Sequence, residues 1–156
     1  MKIAKRIPLV LVTLLLVVST QSFSSVINPR KSVSPVLPNP ILYFTGQESY
    51  ETGGKDFIRY RYDVLNKGQY PNELFAASPD LPPCGTNTKS SRTWVDIYDQ
   101  SGKRLYGFCN LGKPSDLGTI WFALEESVVP PSYVYIEMND RKTATKYKSN
   151  LAETTL

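Results

Sequence analysis

The chain has 156 residues, with 18 Lys and Arg against 14 Asp and Glu, a formal charge of +4 and no histidine. That length fits one domain of ordinary size, and 41% hydrophobic with 21% charged residues argues against a wholly disordered chain. The missing imidazole excludes Ser-His-Asp and Cys-His catalysis, His-ligated zinc and histidine pH switching.

Residues 1–24 read as a secretory signal peptide. Lys2, Lys5 and Arg6 form a basic start, and residues 7–18 form an apolar stretch interrupted only by Pro8 and Thr13. That stretch is short of the ~20 apolar residues a membrane-spanning helix needs. Ser22-Phe23-Ser24 supplies small residues for cleavage after Ser24. The expected destination is therefore secreted or periplasmic, with no stable membrane anchor after cleavage. Removing the three basic residues of the signal from the 18 leaves 15 against 14 acidic, a net charge of +1. No basic footprint for nucleic acid remains.

Residues 25–40 hold Pro29, Pro35, Pro38 and Pro40 among Ser, Val and Asn, and read as a semi-extended linker. From residue 41 to 150 the pattern is alternating and aromatic with frequent breakers, as in an all-β domain. A short strand is expected over 41–45, followed by a polar loop ending at Gly53-Gly54. The strand at 57–65 points Ile58, Tyr60, Tyr62 and Val64 one way and Arg59, Arg61 and Asp63 the other. One or two helical turns are expected over 71–77. A hairpin follows from strands 93–99 and 103–109, then strands at 119–124, 133–139 and 144–149. Residues 151–156 read as a C-terminal tail.

Seven strands in about 110 residues suit an antiparallel β-sandwich of immunoglobulin-like topology with one long Pro-rich loop. The segment from Gly118 to Asn150 runs strand, Val129-Pro130-Pro131 connection, Tyr-rich strand, short turn and final strand. It resembles the last three strands of a fibronectin type III or related immunoglobulin-like domain. One departure is that Tyr135 is followed by Glu137, while Val134, Ile136 and Met138 make the apolar row. The runs YRYDVLN, PDLPPCG and SRTWVDIYD are similar to small exported bacterial proteins of unknown function, a resemblance that implies no activity.

Cys84 and Cys109 are the only cysteines, and in an oxidising compartment they are expected to form one structural disulfide, worth roughly 3.5 kcal/mol by loop closure. No C-x-x-C spacing favours a redox or metal role.

The hairpin carries the sharpest expectation. Asp99-Gln100-Ser101-Gly102 predicts a type I turn with a left-handed Gly102, pairing Asp99 with Lys103. That register puts Val95, Ile97, Leu105 and Cys109 on the core face. Trp94, Asp96, Tyr98, Arg104, Tyr106 and Phe108 fall on the other. The second face is either an aromatic platform for a ligand, with Asp96 and Arg104 fixing orientation, or a surface covered by the long 66–92 connection. The Pro79-Asp80-Leu81-Pro82-Pro83 segment, tethered by Cys84, is a rigid presentation loop or a cap on a sheet edge.

For catalysis there is little material. Glu125-Glu126 and Asp96/Asp99 do not face one cleft, and calcium-loop, nucleophile-elbow and phosphate-loop spacings are missing. The expected function is an exported, non-catalytic, cofactor-free binding module for a protein or glycan. The alternatives are an exported protease inhibitor using the Pro79-to-Gly85 loop, or a purely structural accessory domain.

Overall fold

The structure, a computed structural model, describes residues 36–83, 91–109 and 111–155, all within one compact unit, Pro35–Leu156. It contains β1 (Leu42–Thr52), β2 (Lys55–Val64), β3 (Thr93–Asp99), β4 (Arg104–Phe108), β5 (Ile120–Glu125), β6 (Tyr133–Asp140), β7 (Thr145–Lys148) and β8 (Ala152–Glu153). All pairings are antiparallel. One sheet has the order β1-β2-β5. The other has the order β4-β3-β6-β7, with β8 also paired to β6.

The alternation of β2 explains its place at the centre of the smaller sheet. Tyr60, Tyr62 and Val64 are buried, while Arg59, Arg61 and Asp63 project to the other side. They meet Ile120 and Phe122 of β5, and across the interior Val95, Ile97, Val134, Ile136 and Met138 of the larger sheet. Tyr60 and Tyr62 stack on Phe122 with ring centroids 5.0 and 6.0 Å apart. Two inner faces packed around one apolar layer make a β-sandwich. Strand order places it among immunoglobulin-like arrangements, with β4 on the edge of the larger sheet.

Several expectations are corrected. There are eight strands among the described residues, not seven, because Ala152–Glu153 within the expected 151–156 tail pairs with Tyr133 and Val134 of β6. Ala152 and Thr154 are buried there. The first strand does not stop at Thr45 but runs to Thr52. Gly53 and Gly54, at φ +60° and +71°, close a two-residue hairpin onto Lys55. Gly46 marks a bulge that shifts the register of β1 after Phe44. The helical expectation over 71–77 reduces to a short 3-10 turn, Asn72–Leu74.

The long connection also has its place. Tyr70, Leu74 and Phe75 are buried in the main core, and Thr93 Oγ1 donates to the Leu74 carbonyl. Before β1, Tyr70 donates its hydroxyl to the Pro38 carbonyl at 2.9 Å, and Asn66 bridges Asn39 and Ile41. The end of the expected linker is thus built into the sandwich. Asn150 closes the start of β1 by accepting from Leu42 N at 2.8 Å and donating to Leu42 O at 2.9 Å. No helix among the described residues is long and apolar enough to cross a membrane.

Candidate functional site

The outer face of the larger sheet is built from alternate residues of four strands. Register places Trp94 beside Asn139, Asp96 beside Glu137, and Tyr98 beside Tyr135. On one flank Asp96 lies opposite Gly107 and Tyr98 opposite Arg104; on the other Glu137 lies opposite Lys148 and Asn139 opposite Lys146. The face is therefore an array of aromatic rings (Trp94, Tyr98, Tyr133, Tyr135), carboxylates (Asp96, Glu137 and, opposite Tyr133 on β8, Glu153) and the cations beside them.

Asp96 is its centre. The residue is 9% exposed, and its Oδ1 accepts from Trp94 Nε1 at 2.9 Å and from Arg104 Nε at 2.6 Å. A carboxylate this sheltered is stable when its charge is met by hydrogen bonds and a cation. Arg104 reaches it by lying across Gly107. A Cβ on Gly107 would sit 2.0 Å from Arg104 Nη2 and 2.5 Å from Asp96 Oδ1. Glycine at this strand-interior position leaves room for side chains that pass over the backbone.

Cations also cover the rings. The Arg104 and Arg141 guanidiniums lie 5.8 and 5.9 Å from the Trp94 ring centroid. Tyr98 and Tyr135 stack at 5.3 Å, and Lys148 Nζ is 4.0 Å from the Tyr135 centroid. Glu137 accepts from Lys146 Nζ at 2.7 Å, which raises the Lys146 pKa. The Tyr98 phenol is pushed up by burial first, then by the negative fields of Asp96 and Glu137. Cation–π contacts and charge-assisted bonds together hold these side chains in place.

The expected five-residue platform comes together in four of its members. Trp94, Asp96, Tyr98 and Arg104 share the face as expected. Tyr106 does not, and neither does Phe108. The turn forms as predicted, with Asp99 N donating to Lys103 O at 3.0 Å and Gly102 at φ +89°. A second irregularity then follows: Tyr98 pairs with Arg104 but Ile97 pairs with Tyr106, leaving Leu105 as an extra residue. One extra residue moves every later side chain to the opposite face. Tyr106, 40% exposed, instead stacks on Trp121 of β5 at 4.9 Å, with Phe108 edge-on to the same ring at 6.1 Å. These rings join the two sheets where β4 meets β5.

Trp121 belongs to a second outer surface that local sequence reading did not assemble. The Arg59 guanidinium lies between the rings of Tyr50 at 4.7 Å and Trp121 at 4.5 Å. Glu48 accepts from Arg59 Nη1 at 2.7 Å and Arg61 Nη2 at 2.5 Å, and the two guanidiniums hold its pKa down. Beside them an open groove of about 420 Å³ is lined by Arg59, Arg61, Phe108, Leu111, Thr119 and Trp121.

The Pro-rich loop touches the Trp94 end of the larger sheet. Pro79, Asp80, Pro82 and Pro83 are exposed and Leu81 is half-buried. Arg141 Nη2 donates to the Pro82 carbonyl at 2.7 Å, and Lys142 lies 3.5 Å from Asp80. Of the apolar residues of the 66–83 stretch, Leu74 and Phe75 enter the core between the sheets instead of covering the array, while Leu81 is half-buried. Cys84 lies outside the described residues, and with it the expected Cys84–Cys109 pairing. Glu125 and Glu126, adjacent in sequence, sit where the β5 end meets Lys55; Glu125 pairs with Lys55 at 2.5 Å.

No family model matches the chain, and no curated protein matches it by sequence. Among solved structures it is similar to a chain of a human pre-T cell receptor crystal structure. Identity is 13% and the TM-score 0.41, over 74% of this chain and 99% of that one. A likeness of that degree adds nothing to the strand order, on which the fold assignment rests.

Proposed function

We propose that the protein is an exported, non-catalytic binding module that docks a protein partner on the outer face of the larger sheet. The observation that carries this reading is the pre-ordered array around Asp96, with Trp94, Tyr98, Tyr135 and Arg104 held in place by contacts on an otherwise solvent-facing sheet surface. Aromatic and arginine side chains dominate the energetics of protein interfaces, and fixing them beforehand reduces the ordering cost of association. A glycan would need bare ring faces for stacking, whereas Trp94 and Tyr135 already carry cations within cation–π distance. Asp96 and Glu137, in the middle of the face, are each engaged by one of its cations, which suits recognition.

The test is site-specific photo-crosslinking in the exporting cell. A photoreactive residue at Lys146 should give a discrete protein adduct that disappears on Trp94→Ala, while one at Thr45 on β1 gives no such adduct. Adducts only from position 80 would transfer the role to the Pro79–Pro83 loop and favour the inhibitor reading. No adduct from position 146 would end the docking-face reading.

A further inference from the structure

Strand β1 is an edge of the three-stranded sheet, and at 11 residues it is long for an uncovered edge. Thr52 and Lys55 flank the Gly53-Gly54 turn and form the hydrogen-bonded pair that closes the hairpin. Alternation back along the strand turns the N–H and C=O of Glu51, Ser49 and Gln47 away from β2. No hydrogen bond found among the described residues uses these groups, and their side chains are exposed. The start of the strand differs, because Asn150 takes both polar backbone groups of Leu42. The open edge runs over 46–52, from the Gly46 bulge to the turn. That stretch carries neither Lys nor Pro, two of the residues that guard sheet edges.

We propose that this edge pairs with the same edge of a second copy of the chain, antiparallel about a two-fold axis through Ser49. The two three-stranded sheets then become one. Matching outward backbone groups requires odd-numbered residues opposite odd-numbered ones. An axis through Ser49 sets Gln47 opposite Glu51, Glu48 opposite Tyr50 and Gly46 opposite Thr52, which uses the whole open stretch. An axis through Glu48 would set two carboxylates face to face, and one through Tyr50 would carry Gln47 onto the other copy's turn. With the axis at Ser49 the two Glu48 side chains are only diagonal neighbours, each met by Arg59 and Arg61 of its own copy. The two Glu51 side chains lie at opposite ends of the overlap, and Leu42 with its Asn150 bridge lies beyond it. This edge belongs to the sheet opposite the face around Asp96, so pairing here is independent of docking there.

The test is sedimentation velocity of the intact exported protein, with amide hydrogen exchange read by nuclear magnetic resonance. A monomer–dimer equilibrium is expected, and the amides of Gln47, Ser49 and Glu51 should gain about tenfold protection as the dimer fills. Those of Glu48 and Tyr50, held by β2, should be protected at every concentration. Ser49→Pro removes an N–H that the single copy leaves unpaired, so thermal unfolding should match the parent while the dimer Kd rises about tenfold or more. Gln47→Lys, opposite Glu51, should lower the Kd about threefold, and Gln47→Glu should raise it by a similar factor. A chain that stays monomeric up to about 1 mM would overturn the proposal, as would a dimer indifferent to Ser49→Pro. A dimer lost in Ser49→Pro but unmoved by both position-47 variants would overturn the axis through Ser49. Protection of these amides that appears only on adding the partner crosslinked at position 146 would give the edge to that partner instead.

Discussion

Gly107→Ala tests whether Arg104 lies across β4 to reach Asp96. The added methyl would meet Arg104 Nη2 at 2.0 Å and Asp96 Oδ1 at 2.5 Å, so the guanidinium must leave. What is lost is one charge-assisted bond of 2.6 Å to a carboxylate that is largely sheltered. Such a bond contributes about 1.5–3 kcal/mol when well buried. The Arg104 side chain is 50% exposed, so solvent screening brings the figure to about 1 kcal/mol. Alanine in place of glycine in a strand offsets about 0.5–1 kcal/mol by reducing the entropy of the unfolded chain. The single variant should therefore remain folded, destabilised by about 1 kcal/mol or less. The discriminating quantity is the coupling with Arg104→Ala. Urea unfolding of the parent, both single variants and the double variant should show Gly107→Ala costing about 1 kcal/mol less when Arg104 is already gone. Equal costs in the two backgrounds, within about 0.3 kcal/mol, would refute the placement of Arg104 over Gly107.

Other expectations concern the frame that holds this face. Asp140 is 2% exposed; burial alone would raise its pKa, but Arg92, the Thr143 hydroxyl and Lys142 N–H outweigh it and hold it at about 2. A folded pKa depressed below the unfolded value of about 3.9 adds stability above that value, on the order of 2 kcal/mol, lost as pH falls toward 2. Unfolding free energy measured from pH 5 to 2 should fall by about that amount less in Asp140→Asn than in the parent, and an unchanged acid dependence would contradict the assignment. The Tyr62 hydroxyl is buried with no hydrogen-bond partner among the described residues, so Tyr62→Phe should leave stability unchanged or raise it by up to about 1 kcal/mol in denaturant unfolding. Asn150→Ala removes both bonds to Leu42 at the start of β1 and should cost about 1–2 kcal/mol; hydrogen exchange at Leu42 should accelerate with it, whereas unchanged exchange would count against the bridge.

How far the sequence could be read depended on the range of the forces involved. The strand β2 was legible because Ile58, Tyr60, Tyr62 and Val64 alternate with charged residues, a signal contained within the strand. The far half of β1 was not, because Gln47 to Thr52 lies on a sheet edge and is polar on both sides. Its one local clue was Gly53-Gly54, a pair suited to a tight hairpin turn. In β8 two residues are too few to show any period, and its strand character comes from Tyr133 and Val134 across the sheet.

The candidate site divides in the same way. Trp94, Asp96 and Tyr98 follow from strand alternation alone. The displacement of Tyr106 depends on a bulge at Leu105 that lets its ring reach Trp121, fifteen positions further along the chain. Nothing local announces that contact. Tyr135, Arg141 and Lys148 complete the face from strands and turns remote in sequence. Gly107 was the available hint: a lone glycine within a strand marks close approach by another group, here the Arg104 side chain.

That the protein binds its partner through the face around Asp96 is tested most directly by nuclear magnetic resonance during titration with the partner captured by the crosslink at position 146. Shifts should concentrate on the Trp94 indole N–H, the Arg104 Nε–H and the amides of β3 and β6, and those at Arg104, β3 and β6 should be absent in Trp94→Ala. Shifts confined to residues 79–83, or to Arg61 and Trp121 on the opposite sheet, would contradict it.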